Sequence, residues 1–231
     1  MRMRIPSTLA VALVLAVAAP AAAAGPELKS DEDKIFYALG LAMSQTLASF
    51  NLNPAELELV KAGLADGVLS HERKLDVQAW LPKIQQVQQT RVAAAAATEK
   101  KAGQAYLDKA AGEKGATKTA SGLIVTTLKP GEGTAPKATD RVKVHYTGTL
   151  TDGTVFDSSV QRGEPVTFGV NQVIPCWSEG LQLMKVGGKS RFVCPSTLAY
   201  GDRGAPPRIK PGATLVFEVE LLDIVKAPDQ K

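Results

Sequence analysis

The sequence predicts an α+β protein. An all-helical N-terminal region with a long connecting helix comes first, followed by an antiparallel sheet of about five strands wrapped on one short helix. Three observations carry that expectation. Before Gly112 the apolar residues recur at helical spacing, and after Gly122 the spacing falls to two, the period of a half-buried strand. Between residues 83 and 111 no helix breaker occurs apart from Gly103. The third observation is the run Val173-Ile174-Pro175-Cys176-Trp177, too short and too apolar for a surface loop. It reads as a turn entering a short helix that carries a Trp inward, either as plain core or as the floor of a pocket.

The 231 residues suffice for one large or two small domains. The first 24 read as a secretory signal: Arg2 and Arg4 form a basic start, residues 9–19 an apolar stretch ended by Pro20, and Ala22-Ala23-Ala24 a small-residue cleavage site. A membrane anchor is the alternative, but the run is short and rich in Ala. No Cys follows the cleavage site, which argues against lipid attachment there. An exported chain meets an oxidising compartment, where a disulfide persists. Without Arg2 and Arg4 the 27 basic residues fall to 25 against 23 acidic ones, a net +2 that gives no reason to expect nucleic acid or an anionic membrane as partner.

Residues 25–75 are expected to be helical. Ser30 can cap a helix opened by Asp31, Glu32 and Asp33, acids suited to the positive end of the dipole. Ile35, Leu39, Ala42 and Thr46 share one face, with Phe36, Met43, Leu47 and Phe50 beside them. A second start follows at Asn53-Pro54-Ala55-Glu56: a capping Asn, Pro at the first helical position and Glu at the third. Leu57, Val60, Leu64 and Val68 line that helix. Faces this broad need a cover, which is either an intertwined second copy or a fold-back onto the C-terminal domain. Asp76 opens the long connecting helix of residues 76–115, with Pro82 near its start and an Ala run at 93–97. A helix Ala-rich or polar all round reads as a solvated bridge. Residues 116–121 read as a small-residue linker.

Strands are expected at 123–128, 141–150, 154–157, 165–168, 191–194 and 215–221. His71 and His145, the only histidines, do not make a metal site. Two cysteines without CxxC spacing make neither a zinc knuckle nor a thioredoxin motif. Gly187-Gly188 lacks the context of a phosphate loop.

The segments Val144-His145-Tyr146-Thr147-Gly148, Val155-Phe156-Asp157-Ser158-Ser159, Gln172-Val173-Ile174-Pro175-Cys176-Trp177, Glu179-Gly180, Ala199-Tyr200-Gly201 and Ala213-Thr214-Leu215-Val216-Phe217 resemble the FKBP-type peptidyl-prolyl isomerases, in order and spacing. The likeness runs over about residues 122–226, the isomerase domain is expected over 116–226, and 227–231 remain as a tail. Asp33-Lys34-Ile35-Phe36-Tyr37-Ala38-Leu39-Gly40 and the helical layout are similar to the exported bacterial branch of that family, the FkpA and Mip (macrophage infectivity potentiator) type. In that branch the region of residues 25–75 is a dimerisation module.

The resemblance implies a pocket for proline floored by Trp177 and walled by Tyr146, Phe156, Phe168, Val173 and Phe217. Asp157, Tyr200 and the backbone N–H of Ile174 would be its catalytic groups. Neither metal nor cofactor is implied. Val166, Cys176 and the basic loop of residues 205–210 depart from the family pattern, which bears on substrate and inhibitor preference. Cys176 and Cys194 would be neighbours under the floor and are expected to form a disulfide, with two buried thiols as the alternative. The implied partners are proline-containing unfolded or folding polypeptides, macrolide inhibitors of the family and a second copy of the chain. The implied location is the periplasm, with outer-membrane association or secretion also open. The other function class is a holdase that grips chain without turning it over.

Overall fold

The computed structural model describes residues 26–225. The expected signal segment and the tail at 227–231 lie outside the described residues. The elements are α1 (Asp31–Leu47), α2 (Pro54–Val68), α3 (Val77–Ala111), β1 (Ala116–Lys118), β2 (Ile124–Lys129), β3 (Arg141–Leu150), β4 (Val155–Ser158), α4 (Ser159–Arg162), β5 (Val166–Gly169), α5 (Pro175–Gln182), β6 (Lys189–Cys194) and β7 (Leu215–Val225).

The helix starts follow the capping chemistry in the sequence. Ser30 Oγ accepts from Asp33 N–H while the Asp33 carboxylate accepts from Ser30 N–H, a reciprocal cap that satisfies two otherwise orphaned donors. Asn53 and Glu56 do the same at α2, with Pro54 at its first position. Asp76 caps α3 through Gln78 N–H, and Pro82 sits inside that helix without ending it. The chain divides into two compact units between Gly40 and Leu41. Neither α1 nor α2 buries a residue, and on α1 Ile35 and Phe36 are 64% and 62% exposed. α3 is tied to the start of α2 by Arg91, which reaches Glu56 Oε2 at 2.8 Å and the Phe50 carbonyl at 2.9 Å.

The C-terminal half of α3 departs from the solvated bridge expected of it. Leu107 and Ala110 pack on Ile124, Val193 and Val216 of the sheet. Gly103 lies so close to the residue preceding β7 that a Cβ there would sit 2.2 Å from Thr214 Oγ1. Small residues, which in the sequence suggested that there was nothing to bury, are what lets the helix backbone approach the strands.

The sheet has seven strands rather than about five, all antiparallel, in the order β1-β2-β6-β7-β3-β4, with β5 also paired to β3. The residues expected to be linker contribute β1, whose Ala116 pairs with Thr126. Alternation divides the side chains between two faces. Leu123, Val125, Phe192, Cys194, Leu215, Phe217, Val219 and Leu221 form one core with α5, while Ile124, Val193 and Val216 turn toward α3. Gly180 brings α5 down on β6, since a Cβ there would be 2.7 Å from the Phe192 ring. Cys176 and Cys194 are joined in a disulfide with Cα atoms 5.8 Å apart, tying the first turn of α5 to the end of β6.

Candidate active site

Pro175 at the first position of α5 presets the helical backbone, and Trp177 follows two residues later, within the first turn. The Trp177 ring is enclosed by three others, each near perpendicular to it. Their centroids lie at 5.1 Å (Tyr146), 5.6 Å (Phe168) and 5.4 Å (Phe217), a favourable edge-to-face arrangement. Phe156 stands edge-on to Phe217 at 5.6 Å. Gly148 opposite leaves them room, for a Cβ there would be 2.6 Å from Phe156. Among these rings is a cavity of about 300 Å³, lined by Tyr146, Phe156, Asp157, Phe168, Gln172, Val173, Ile174, Trp177, Tyr200 and Phe217. All nine residues expected from the sequence thus meet in one cavity, and Gln172 is an addition. Tyr200 stands at the rim, 41% exposed. Ile174 precedes the helix in extended geometry and receives the Trp177 and Ser178 amides on its carbonyl. Its own N–H makes no hydrogen bond among the described residues.

Asp157, on β4, accepts from the Tyr146 hydroxyl and from Arg162 Nη1. Arg162 Nη2 also donates to the Tyr146 oxygen at 3.2 Å, which closes a triangle of three groups. Burial pushes the Asp157 carboxyl up, but the bonds from Tyr146 and Arg162 outweigh it and hold the carboxyl below its ordinary value. Tyr146 is raised, first by burial and then by donating to the carboxylate. Sequence reasoning left the partner of Asp157 unnamed. Arg162 lies five residues on, on the single turn of α4, which ends at Gly163 with φ 77°.

A second cavity of about 600 Å³ adjoins the first, sharing Phe156 and Asp157 and bordered by Arg162 and Arg208. Arg208 Nη1 donates to the Phe156 carbonyl at 2.9 Å, so the loop after Tyr200 reaches across to β4. A further cavity of about 620 Å³ lies between α3, the start of α2 and this loop, and shares no residue with the Trp177 pocket. It has no aromatic lining, and Arg91 and Lys210 within it are already paired, with Glu56 and Glu99. The cavity lined by aromatic rings with few convergent polar groups is the better site for a proline ring. Among the described residues no helix is long and apolar enough to cross a membrane.

Comparison with known proteins agrees with this geometry. The family model described as FKBP-type peptidyl-prolyl cis-trans isomerase matches residues 132–222, and the domain amino-terminal to such isomerases matches residues 32–125. An FKBP-type isomerase FkpA of Aeromonas hydrophila is 45% identical, covering 90% of this chain and 81% of that protein. The FKBP-type 22 kDa isomerase of Escherichia coli is 43% identical over 87% of this chain and 98% of its own length. The crystal structure of FkpA from Escherichia coli superposes with a TM-score of 0.65 at 38% identity, covering 87% of this chain and 99% of that one. With a matching family model on each part and relatives this similar over most of its length, the chain belongs to the FKBP-type peptidyl-prolyl cis-trans isomerases.

Proposed function

We propose that this isomerase turns X–Pro bonds in exported polypeptides at the Trp177 pocket, as a dimer held by its N-terminal helices. The carrying observation is the cavity of about 300 Å³ with Trp177 ringed by three aromatic side chains. Rotation about an amide loses resonance against a barrier of about 18–20 kcal/mol. The twisted amide is less polar than the planar one, so an apolar, dry cavity favours it differentially. The proline ring rests on Trp177 while the preceding carbonyl turns. Ile174 N–H and the Tyr200 hydroxyl hold neighbouring substrate carbonyls, and Asp157 faces the rotating one. Asp157→Ala, with the fold intact by circular dichroism, is expected to lower kcat/KM on a short proline peptide about tenfold, the size of one charged contact in the transition state. Full activity of that variant and of Tyr200→Phe would remove the pocket from the mechanism.

The apolar residues exposed on α1, Ile35, Phe36, Tyr37, Leu39, Leu41 and Met43, support a second copy of the chain as their cover. Export to the periplasm rests on the signal-like first 24 residues. Holding of unfolded chain would accompany turnover: two pockets in one dimer raise the effective concentration of a second grip. Undiminished suppression of aggregation by the Asp157→Ala variant, with its turnover lowered, would separate the two roles. Macrolides of the family's inhibitor class would compete for the same aromatic walls.

A further inference from the structure

We propose that α3 positions the isomerase site, through Glu99 and Lys100, which hold the two ends of the loop following Tyr200. This inference rests on the Trp177 pocket being that site.

The loop of residues 201–212 is closed on itself, with Gly212 N–H donating to the Gly201 carbonyl at 3.0 Å. On its inner side Ile209 is buried in the same hydrophobic core as Trp177, and Arg208 reaches the Phe156 carbonyl. Its outer side faces α3. Lys210 Nζ lies 3.0 Å from Glu99 Oε1, and Lys100 Nζ lies 2.5 Å from Asp202 Oδ1. Two successive helix residues of opposite charge thus meet two loop residues of opposite charge, one near each end of the loop. Backbone contact backs the pairs. Ala96 is 2% exposed, and a Cβ on Gly212, whose φ is 76°, would sit 2.4 Å from the Ala96 carbonyl oxygen. The next turn of the helix seats Gly103 against Thr214. Tyr200 immediately precedes this loop and Phe217 follows on β7, so both ends of the held segment run into pocket walls.

The alternation of sign makes the arrangement register-specific. Reversing Glu99 alone sets two cations face to face, and so does reversing Asp202 alone. A loop that is seated for only part of the time lowers apparent substrate affinity by the fraction seated. The effect therefore belongs in KM, with the step on bound substrate unchanged. Exposed pairs are individually weak, so each single reversal is expected to raise KM about two- to fivefold at low salt. Molar salt should bring the wild type toward the same value, because such pairs are screened.

The test uses the full chain, with Glu99→Lys, Lys210→Glu and the double exchange assayed on one short proline peptide at low and at high salt. Lys100→Glu, Asp202→Lys and their double form an independent second set. The expected result is a raised KM and unaltered kcat in each single variant, with recovery in each double. Wild-type KM in the singles, or doubles no better than singles, overturns the proposal. A fall in melting temperature without any change in KM also overturns it, since it assigns the pairs to stability alone. Asp157→Ala run alongside separates failure of the pocket from failure of the positioning helix. If that variant is impaired while the reversals are silent, only the role of α3 fails.

Discussion

Reducing the Cys176–Cys194 bond is expected to lower stability by about 3 kcal/mol while leaving the isomerase competent. The bond closes a loop of 18 residues. In the chain-entropy description a loop of that length restricts the unfolded chain by about 3 kcal/mol at 25 °C, an upper value where native strain opposes it. For a domain of about 100 residues, 1 kcal/mol corresponds to about 4–8 °C, so a shift of up to about 12–24 °C is expected. Both cysteines are fully buried, and reagents reach them only after unfolding. The protein is therefore unfolded in guanidinium with reductant, refolded with the thiols kept reduced, and compared with the oxidised form by fluorescence. Trp177 is buried and Trp80 is 45% exposed, so the emission change reports mainly on the pocket floor. Pro175 and the contact of Gly180 with Phe192 still seat α5 without the bond, which is why turnover at room temperature is expected to survive. Equal midpoints for the two forms would refute the entropic account. A reduced protein that is folded but inactive would show that the bond serves the site rather than stability. Two alkylatable thiols in protein isolated without reductant would dismiss the bond itself.

The Arg91 contact holds the Glu56 carboxyl down at about 2, well below its ordinary 4.5. A depressed carboxyl contributes stability above its unfolded value and loses it as the pH falls through the folded one. The stability difference between wild type and Glu56→Gln should therefore be constant above pH 4.5 and shrink toward about 2, and a difference independent of pH would contradict the pairing. Gly103→Ala should destabilise by about 1–2 kcal/mol in a denaturant melt, because the clash with Thr214 exceeds the helix propensity gained. A stabilised variant would mean that α3 does not press on β7. The full chain should scatter light as a dimer, and a chain beginning at Ala93 as a monomer that still turns over short peptides. A monomeric full chain would leave the exposed faces of α1 without their proposed cover.

The aromatic pocket was legible because it has two independent signatures in the sequence. Tyr146 and Phe217 lie on strands whose alternation assigns them to the core face, and the family pattern places Phe156, Phe168 and Trp177 around them. What escaped had no such signature. β1 consists of Ala116, Thr117 and Lys118, with no apolar alternation, and it exists because β2 offers it an edge. The packing of α3 escaped because Ala96, Gly103 and Ala110 bury backbone rather than large side chains, so hydropathy reads a contact surface as an empty one. Arg162 escaped for a third reason: its meeting with Asp157 depends on a single helical turn closing between them.

The polar groups of the site also constrain the chemistry. Asp157, held below its ordinary value by Tyr146 and Arg162, is ionised at neutral pH and already accepts two donors. Tyr146, raised by burial and by that carboxylate, keeps its proton. Neither is poised to exchange a proton with substrate near neutrality, as a general acid or base must be. What acts on a bound chain is then the fixed charge of Asp157, the dipoles at the rim and an apolar enclosure. Such a site suits a reaction that redistributes charge inside one amide without moving a proton. It also makes kcat/KM insensitive to pH between the carboxylate range and the tyrosine range, and a bell-shaped profile near neutrality would require a different catalytic group.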